Sequence, residues 1–419
     1  MDYLKIFEEV VSIMHNDYAG VEEKKDWDKP DFYRQIIQEA MFANAIDDSI
    51  FYDYVFNYLA DFRDDHVLFR HKFYNYQKIG FYVRRYNDAL YVTKITNDQI
   101  KIKKGMKIIR IDNLDLSFYE NKYSSYFKNR ANERQIWQFV LQRANRVTIS
   151  DLEEEREISV EKNVCLINPI NPYEIKLLDN NLVYMRFEDF NNPDQIYDLI
   201  NANRLLLENS DYWVIDVRFN SGGSDNAYTP LLPYLFNQDE RIFNEDVFFL
   251  MSERNCQLRL EILEEFIAKG SQKPETKKMI DDYIKYIRDN WGRGFVKYTD
   301  ESAIVFKKDY FKPKKVVILT DVFCSSSGDQ FVYDCRQSKK VHVIGRPTLG
   351  VIDYSNLARI SLNDSFELWY PTSKTANVMR NSFLEDGVKP DTYIAWNPKH
   401  INQDVDLIEA IKHLNSTEK

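Results

Sequence analysis

The stretch CSSSGDQF, residues 324–331, sets three hydroxyls in a row between the apolar run KKVVILTDVF and a segment with helical periodicity. A serine at a strand-to-helix junction is well placed for nucleophilic attack, because the helix N-terminus favours negative charge. Serine and aspartate are equally the residues that cap helices, so this stretch alone leaves both readings open. A second stretch, DVRFNSGGSDN, ends a strand-like run in Asn220-Ser221-Gly222-Gly223. Two glycines leave backbone N–H groups unobstructed, which suits an oxyanion hole or, more simply, a tight turn. A serine nucleophile also needs a base. Of the six histidines, His15, His400 and His413 sit in helical or terminal contexts and His342 alternates within the strand-like VHVIG. His66, in LADFRDDHVLFR, follows an amphipathic helix and a turn-like Arg-Asp-Asp. Its ring is the one placed to leave its helix for a cleft, with a purely structural histidine as the alternative.

The elements that must position these groups follow from texture. A chain of 419 residues exceeds what one core normally serves, so two or three domains are expected. Leu4, Phe7, Val10, Val11 and Met14 recur at helical spacing, as do Phe51, Val55, Tyr58 and Leu59, so residues 1–77 read as a helical domain. Residues 78–162 change to short β-like pieces, IGFYVRRY, ALYVTKI, KKGMKIIRIDNLDL and RVTIS, with a helix expected over NERQIWQFVLQRA. Their order resembles a PDZ domain, in which a peptide adds a strand and its carboxylate meets the loop before the first strand, here Ile79, Gly80 and Phe81; a generic small β-barrel is the alternative. From 163 to 419, buried-strand runs such as LVYMRFEDF, YWVIDVRF and VHVIGRPT alternate with helical patterns, the signature of an α/β domain. A charged insert at about 236–300 reads as a solvated helical cover, with a lid over a groove as the alternative.

The net charge of −10 argues against nucleic acid as the main partner. Four cysteines without CxxC spacing and histidines without an HExxH pair indicate neither a disulfide scaffold nor a metal site, and no cofactor is expected. No basic, apolar leader and no membrane-length apolar run is present, so the expected location is cytoplasmic, with no membrane partner.

Taken in order, DYAGVEEKKDW, LADFRDDHV, GMKIIRIDN, IDVRFNSGG, SSSGDQF, VIGRPTLGV, LEDGVKPD and DVDLIEAIKHL resemble the tail-specific, or C-terminal-processing, serine peptidase family, within it the tricorn-core-like branch. The resemblance spans nearly the whole chain. It implies a ClpP/crotonase-like layered β-β-α catalytic fold with an N-terminal helical domain and an inserted PDZ-like domain. It also implies hydrolysis of peptide bonds in a polypeptide substrate, recognised in part by its C-terminus.

The resemblance selects Ser326 as nucleophile, three residues before the acidic Asp329, with the N–H groups of Ser327 and of Gly222 or Gly223 as oxyanion hole. One branch of the family activates this serine with a lysine after a threonine-x-glycine motif. Val351 stands at that place here. The tricorn-like branch uses instead a histidine and a glutamate, matched by His66 and Glu385, and Asp65 stands where relatives carry serine or glycine. Two rivals follow: a non-catalytic binder of the same fold, and a Ser-His-Glu esterase.

Overall fold

The computed structural model describes residues 2–72, 78–97, 100–127, 130–151, 154–162, 171–178, 181–243, 245–268, 274–298, 304–306, 310, 312–379, 382 and 386–416. The chain divides into two compact units, each built from three separated segments.

The first unit comprises Met1–Phe73, Glu245–Glu301 and Asp353–Ser382. Its helices Tyr3–Asn16 and Asp48–Ala60 begin at Asp2 and Asp47, whose carboxylates accept from the N–H of Lys5 and Ile50 and so cap free helix donors. Pro30, rigid and without an N–H, opens the helix Pro30–Phe42 between them. Their apolar stripes meet in one core, where Phe7, Val10, Met14, Phe51, Val55 and Tyr58 pack against Phe69, Phe366, Leu368 and Tyr370. The last four residues lie on an antiparallel sheet whose long strand, Phe366–Thr375, pairs with Leu68–His71, Tyr354–Ser361 and Val247–Leu250, the last also pairing with Phe295–Tyr298. The charged insert forms the expected helices, Glu253–Ala268 and Pro274–Asp289. It is more than a cover, because the strands flanking those helices complete this sheet.

The second unit holds Tyr74–Asn244, Ser302–Ile352 and Phe383–Lys419. At its centre Leu182–Phe187, Tyr212–Asp216, Lys315–Thr320, Val341–Gly345 and Thr392–Tyr393 run parallel, with Tyr173–Leu177 antiparallel at one edge. Both faces are covered, as continuous apolar strands require. Met185, Ile215, Ile318 and Val343 pack with Ile196, Phe331 and Val332 on one face, while Tyr184, Val214, Val317 and Ile344 pack with Ala410 and Leu414 on the other.

The β-rich segment within this unit forms an antiparallel sheet of Phe81–Tyr86, Ala89–Ile95, Lys107–Ile111, Arg146–Asp151 and Glu154–Ser159, in that spatial order. The helix expected over NERQIWQFVLQRA is reduced to a turn at Asn132–Arg134 and the single helical turn Gln138–Leu141. Tertiary bonds override the helical pattern there, since Arg134 donates to the carbonyls of Thr348 and Leu349 at 3.0 and 2.9 Å.

At the C-terminal ends of the parallel strands, charged side chains form one chain, buried at Asp321, Arg346 and Asp406 and reaching the surface at Asp404. Asp321 takes Arg84 and Arg346, and Arg346 binds Asp406 through two bonds of 2.7 and 2.6 Å. Arg218 then joins Asp406, Asp404 and Asp216. The strand that leads to the three serines is thus tied by its last carboxylate to the β-rich segment and, through Arg346, to the closing helix Val405–Asn415. Among the described residues no helix is long and apolar enough to cross a membrane.

Candidate active site

Ser326 stands at the junction between the strand Lys315–Thr320 and the helix Ser327–Cys335, with φ +56° and ψ −120°. Positive φ is unusual for a residue with a Cβ and costs on the order of 1–3 kcal/mol, so the surrounding bonds must hold it. Asp329, fully buried, does so by accepting the N–H of Ser326 at 2.6 Å. Its carboxylate also accepts the N–H of Gly350 and Val351, at 2.9 and 3.3 Å, and the hydroxyl of Thr348. Burial pushes the Asp329 carboxyl up from its ordinary value against the downward pull of these donors. Thr348 Oγ1 in turn accepts the N–H of Val388 at 2.9 Å. The segments SSSGDQF, PTLGV and DGVKP are therefore laced together through two side chains, Asp329 and Thr348.

The glycine pair faces this turn. A Cβ on Gly222, whose φ is +85°, would lie 2.7 Å from the Cβ of Ser326 and 3.2 Å from its hydroxyl oxygen, so only glycine lets the strand end approach the serine. Asn220, fully buried, pins this approach: its side chain accepts the N–H of Gly222 at 3.0 Å and donates to the carbonyl of Phe187 at 3.1 Å, and its own carbonyl accepts the N–H of Ser325. The N–H of Gly222 is thus occupied. Around Gly223 the ladder to Phe190 uses the carbonyl of Gly222 and the N–H of Ser224, leaving the N–H of Gly223 outside it. Ser327 donates its hydroxyl to the carbonyl of Gly223 at 2.9 Å, bringing the first residue of the helix beside that glycine. The N–H of Ser327, at the first helical position, has no acceptor within its own helix.

His66 belongs to the first unit and is buried there. Asp64 accepts its backbone N–H at 2.9 Å, and its Nδ1 lies 2.6 Å from the carbonyl oxygen of Tyr354. A carbonyl only accepts, so Nδ1 carries the proton and the neutral ring presents Nε2 as its basic nitrogen. Asp64 also accepts the hydroxyl of Tyr18 at 2.7 Å, and that hydroxyl accepts from the ammonium of Lys24 at 2.8 Å. Glu385 lies outside the described residues. Ile79 and Phe81 are buried, Gly80 has φ +79°, and Phe81 opens the end strand of the antiparallel sheet with its carbonyl accepting from Gln138 at 3.1 Å. Among the described residues no three His, Cys, Asp or Glu side chains gather as a metal site would.

Residues 181–394, slightly more than half of the chain, match the model of peptidase family S41. The chain belongs to peptidase family S41. It is a serine-type peptidase, a hydrolase that opens peptide bonds through an acyl-enzyme. The matched residues include Ser326, the glycine pair and Glu385, whereas His66 and the antiparallel sheet precede them. Mature CPAF complexed with lactacystin superposes with TM-score 0.64 at 11% identity, over 99% of this chain and 97% of that one. A second structure of mature CPAF gives 0.64 at 11%, over 99% and 96%. A chain from Parabacteroides merdae, provisionally assigned as a peptidase, gives 0.51 at 15%, over 100% and 98%. At these identities the likeness is one of fold. No curated protein sequence matches the chain.

For an S41 peptidase, the sequence reading passed over Asn220, Lys24, Tyr18 and Asp64. The only sequence signals were Asn220 heading the Gly-Gly turn, Asp64 two places before the histidine, and Tyr18 and Lys24 inside DYAGVEEKKDW. None of these residue types announces a role without its partner, and the decisive partners are far away in sequence, as Asp64 and Tyr354 are from Tyr18 and Lys24, or made of backbone.

Proposed function

We propose that the chain hydrolyses polypeptides with Ser326 as nucleophile and His66 as general base, and that Gly223 and Ser327 supply the oxyanion hole. The observation that carries this reading is the positive-φ turn at Ser326, held by Asp329 and seated against Gly222. Ser326 also caps the helix, in a capping box with Asp329, but its positive φ, which capping does not need, presents the hydroxyl where the helix end favours an anion.

In this mechanism the Ser326 oxygen attacks the scissile carbonyl carbon while its proton passes to Nε2 of His66. The N–H groups of Gly223 and Ser327 donate to the oxyanion, each such donor lowering the barrier by about 3–4 kcal/mol. The C–N bond breaks, and His66 returns the proton to the departing amine. Water then attacks the ester, giving one proton to His66 as the acid leaves and Ser326 recovers its hydrogen. Glu385 orients the histidine side of this network, and Asp329 is structural. Gly222, its N–H already taken by Asn220, serves as the close-approach position rather than as a donor.

The antiparallel sheet of residues 78–162 takes the PDZ-like role, with Ile79, Gly80 and Phe81 as the carboxylate loop and Phe81–Tyr86 as the strand beside which a substrate C-terminus adds. The end position of that strand in its sheet supports this reading. A fluorophosphonate probe tests the nucleophile: Ser325→Ala and Ser327→Ala remain labelled, Ser326→Ala is not, and equal labelling of Ser326→Ala would sink the assignment.

A further inference from the structure

The motif DYAGVEEKKDW has no part in the chemistry described so far, yet it delivers a buried lysine to the histidine. Lys24 is 2% exposed and Tyr18 fully buried. Tyr18 folds its ring back over the following residues so closely that a Cβ on Gly20 would lie 2.5 Å from it, which makes glycine obligatory two residues on. The Tyr18 hydroxyl then donates to Asp64 at 2.7 Å and accepts from Lys24 at 2.8 Å. The ammonium itself lies 3.8 Å from the Asp64 carboxylate and 4.5 Å from the centre of the Tyr354 ring, a charge over an aromatic face. Asp64 holds the backbone of His66 and the Tyr354 carbonyl holds its ring. The contacts close on themselves, running from His66 through Asp64, Tyr18, Lys24 and Tyr354 back to His66.

We propose that Lys24 is a positioning residue for His66, its buried ammonium clamping Asp64 and Tyr354, the two residues that fix the backbone and the ring of the histidine. The inference rests on the reading of His66 as general base. Loss of the lysine proton removes the cation from the ring face and from the carboxylate, and with it the force that holds the two anchors together.

Burial pushes the Lys24 ammonium down from its ordinary value to about 8, against the opposing pull of Asp64, Asp353, Glu23 and Asp65. The other groups facing it are the rings of Tyr18, Tyr354 and Trp27. Both tyrosine hydroxyls are pushed up from their ordinary value by burial, so in this range the lysine is the group of the clamp that titrates. Glu23 is itself held by Lys374 and accepts the Tyr354 hydroxyl at 3.4 Å, which fixes the outer side of the clamp.

The test is the second-order rate of fluorophosphonate labelling of Ser326 between pH 6 and 10, which needs no knowledge of the natural substrate. The wild-type rate is expected to fall on the alkaline side with a midpoint near pH 8. Lys24→Met lowers the rate about ten- to a hundredfold, the scale of a misplaced catalytic group, and abolishes the alkaline fall. Lys24→Arg, which stays charged over the whole range, recovers part of the rate and also lacks the fall. Tyr18→Phe removes the oxygen at the centre of the loop and serves where the lysine variants do not fold. A wild-type rate with no alkaline fall, or a folded Lys24→Met with the wild-type rate and profile, overturns the proposal. His66→Ala separates the two claims. Labelling at the wild-type rate in that variant refutes the general base itself, whereas a dead His66→Ala beside an unaffected Lys24→Met refutes only the clamp.

Discussion

The carbonyl oxygen of Tyr354 stands 2.6 Å from Nδ1 of His66 and takes the place that a carboxylate holds behind the histidine in a Ser-His-Asp arrangement. A neutral carbonyl fixes tautomer and orientation but brings no charge to stabilise the imidazolium. Tyr354 lies three residues after Val351. Just before it in sequence, the N–H groups of Gly350 and Val351 donate to Asp329.

The first consequence is spectroscopic. In 15N spectra of the ring-labelled protein, the neutral form of His66 should show Nδ1 as the protonated nitrogen and Nε2 as the unprotonated one. The reverse tautomer would leave Nε2 unable to accept the serine proton and would remove His66 as base.

Gly222 and Asn220 make a second pair of expectations. Gly222→Ala places a methyl 2.7 Å from the Ser326 Cβ in a backbone region that alanine disfavours, so labelling should fall at least a hundredfold. Asn220→Ala leaves the Phe187 carbonyl and the Gly222 N–H without their buried partner, costing roughly 1–3 kcal/mol for each unsatisfied group in a denaturant titration. Wild-type labelling in Gly222→Ala would show that the serine does not need that approach.

The buried ion chain sets the acid limit of stability. Against the upward push of burial, arginine partners hold Asp321 and Asp404 below their ordinary value, and His400, with Arg346 and Arg218, does the same at Asp406. A carboxyl with a depressed folded-state pKa contributes stability that is complete above its unfolded value near 4 and is lost as the pH falls below it. Asp334 runs the other way: burial raises it to about 6, so its contribution is lost as the pH rises from about 4 to 6. Asp406→Asn should cost about 3–5 kcal/mol at pH 7 and progressively less below pH 4, as protonation removes the advantage in the wild type. A penalty independent of pH between 7 and 2 would count against the ion chain as the cause.

These residues also mark how far the sequence could be read. Helices at Tyr3–Asn16 and Asp48–Ala60 and the strands around Ile215 and Ile318 were legible because apolar periodicity reports burial directly. The serine and the glycine pair were legible as candidates because a short motif carries its own backbone geometry. Asp321, Arg346 and Asp406 were not, since ion pairs between positions 25 and 60 residues apart leave no local pattern. Lys24 was least legible of all: a lysine in the charged run Glu22-Glu23-Lys24-Lys25-Asp26 reads as solvated surface, and only the folded ring of Tyr18 makes it interior. The helix expected over NERQIWQFVLQRA failed for the converse reason, because local periodicity there yields to the bonds of Arg134 with a distant loop.

Asp329 offers the sharpest separation of structure from chemistry. Its carboxylate oxygens accept three backbone N–H groups, those of Ser326, Gly350 and Val351, so Asp329→Asn turns one acceptor into a donor that faces donors. The expected result is a loss of one or more of these bonds, worth roughly 1–3 kcal/mol for each N–H left unsatisfied, and relaxation of the positive-φ turn that they hold. Fluorophosphonate labelling should then drop ten- to a hundredfold, while Ser326→Ala, which keeps the three N–H bonds to Asp329 and loses only its own cap of about 1 kcal/mol, should not label at all. An Asp329→Asn protein that labels and melts as the wild type does would show that the turn is held by something other than this carboxylate.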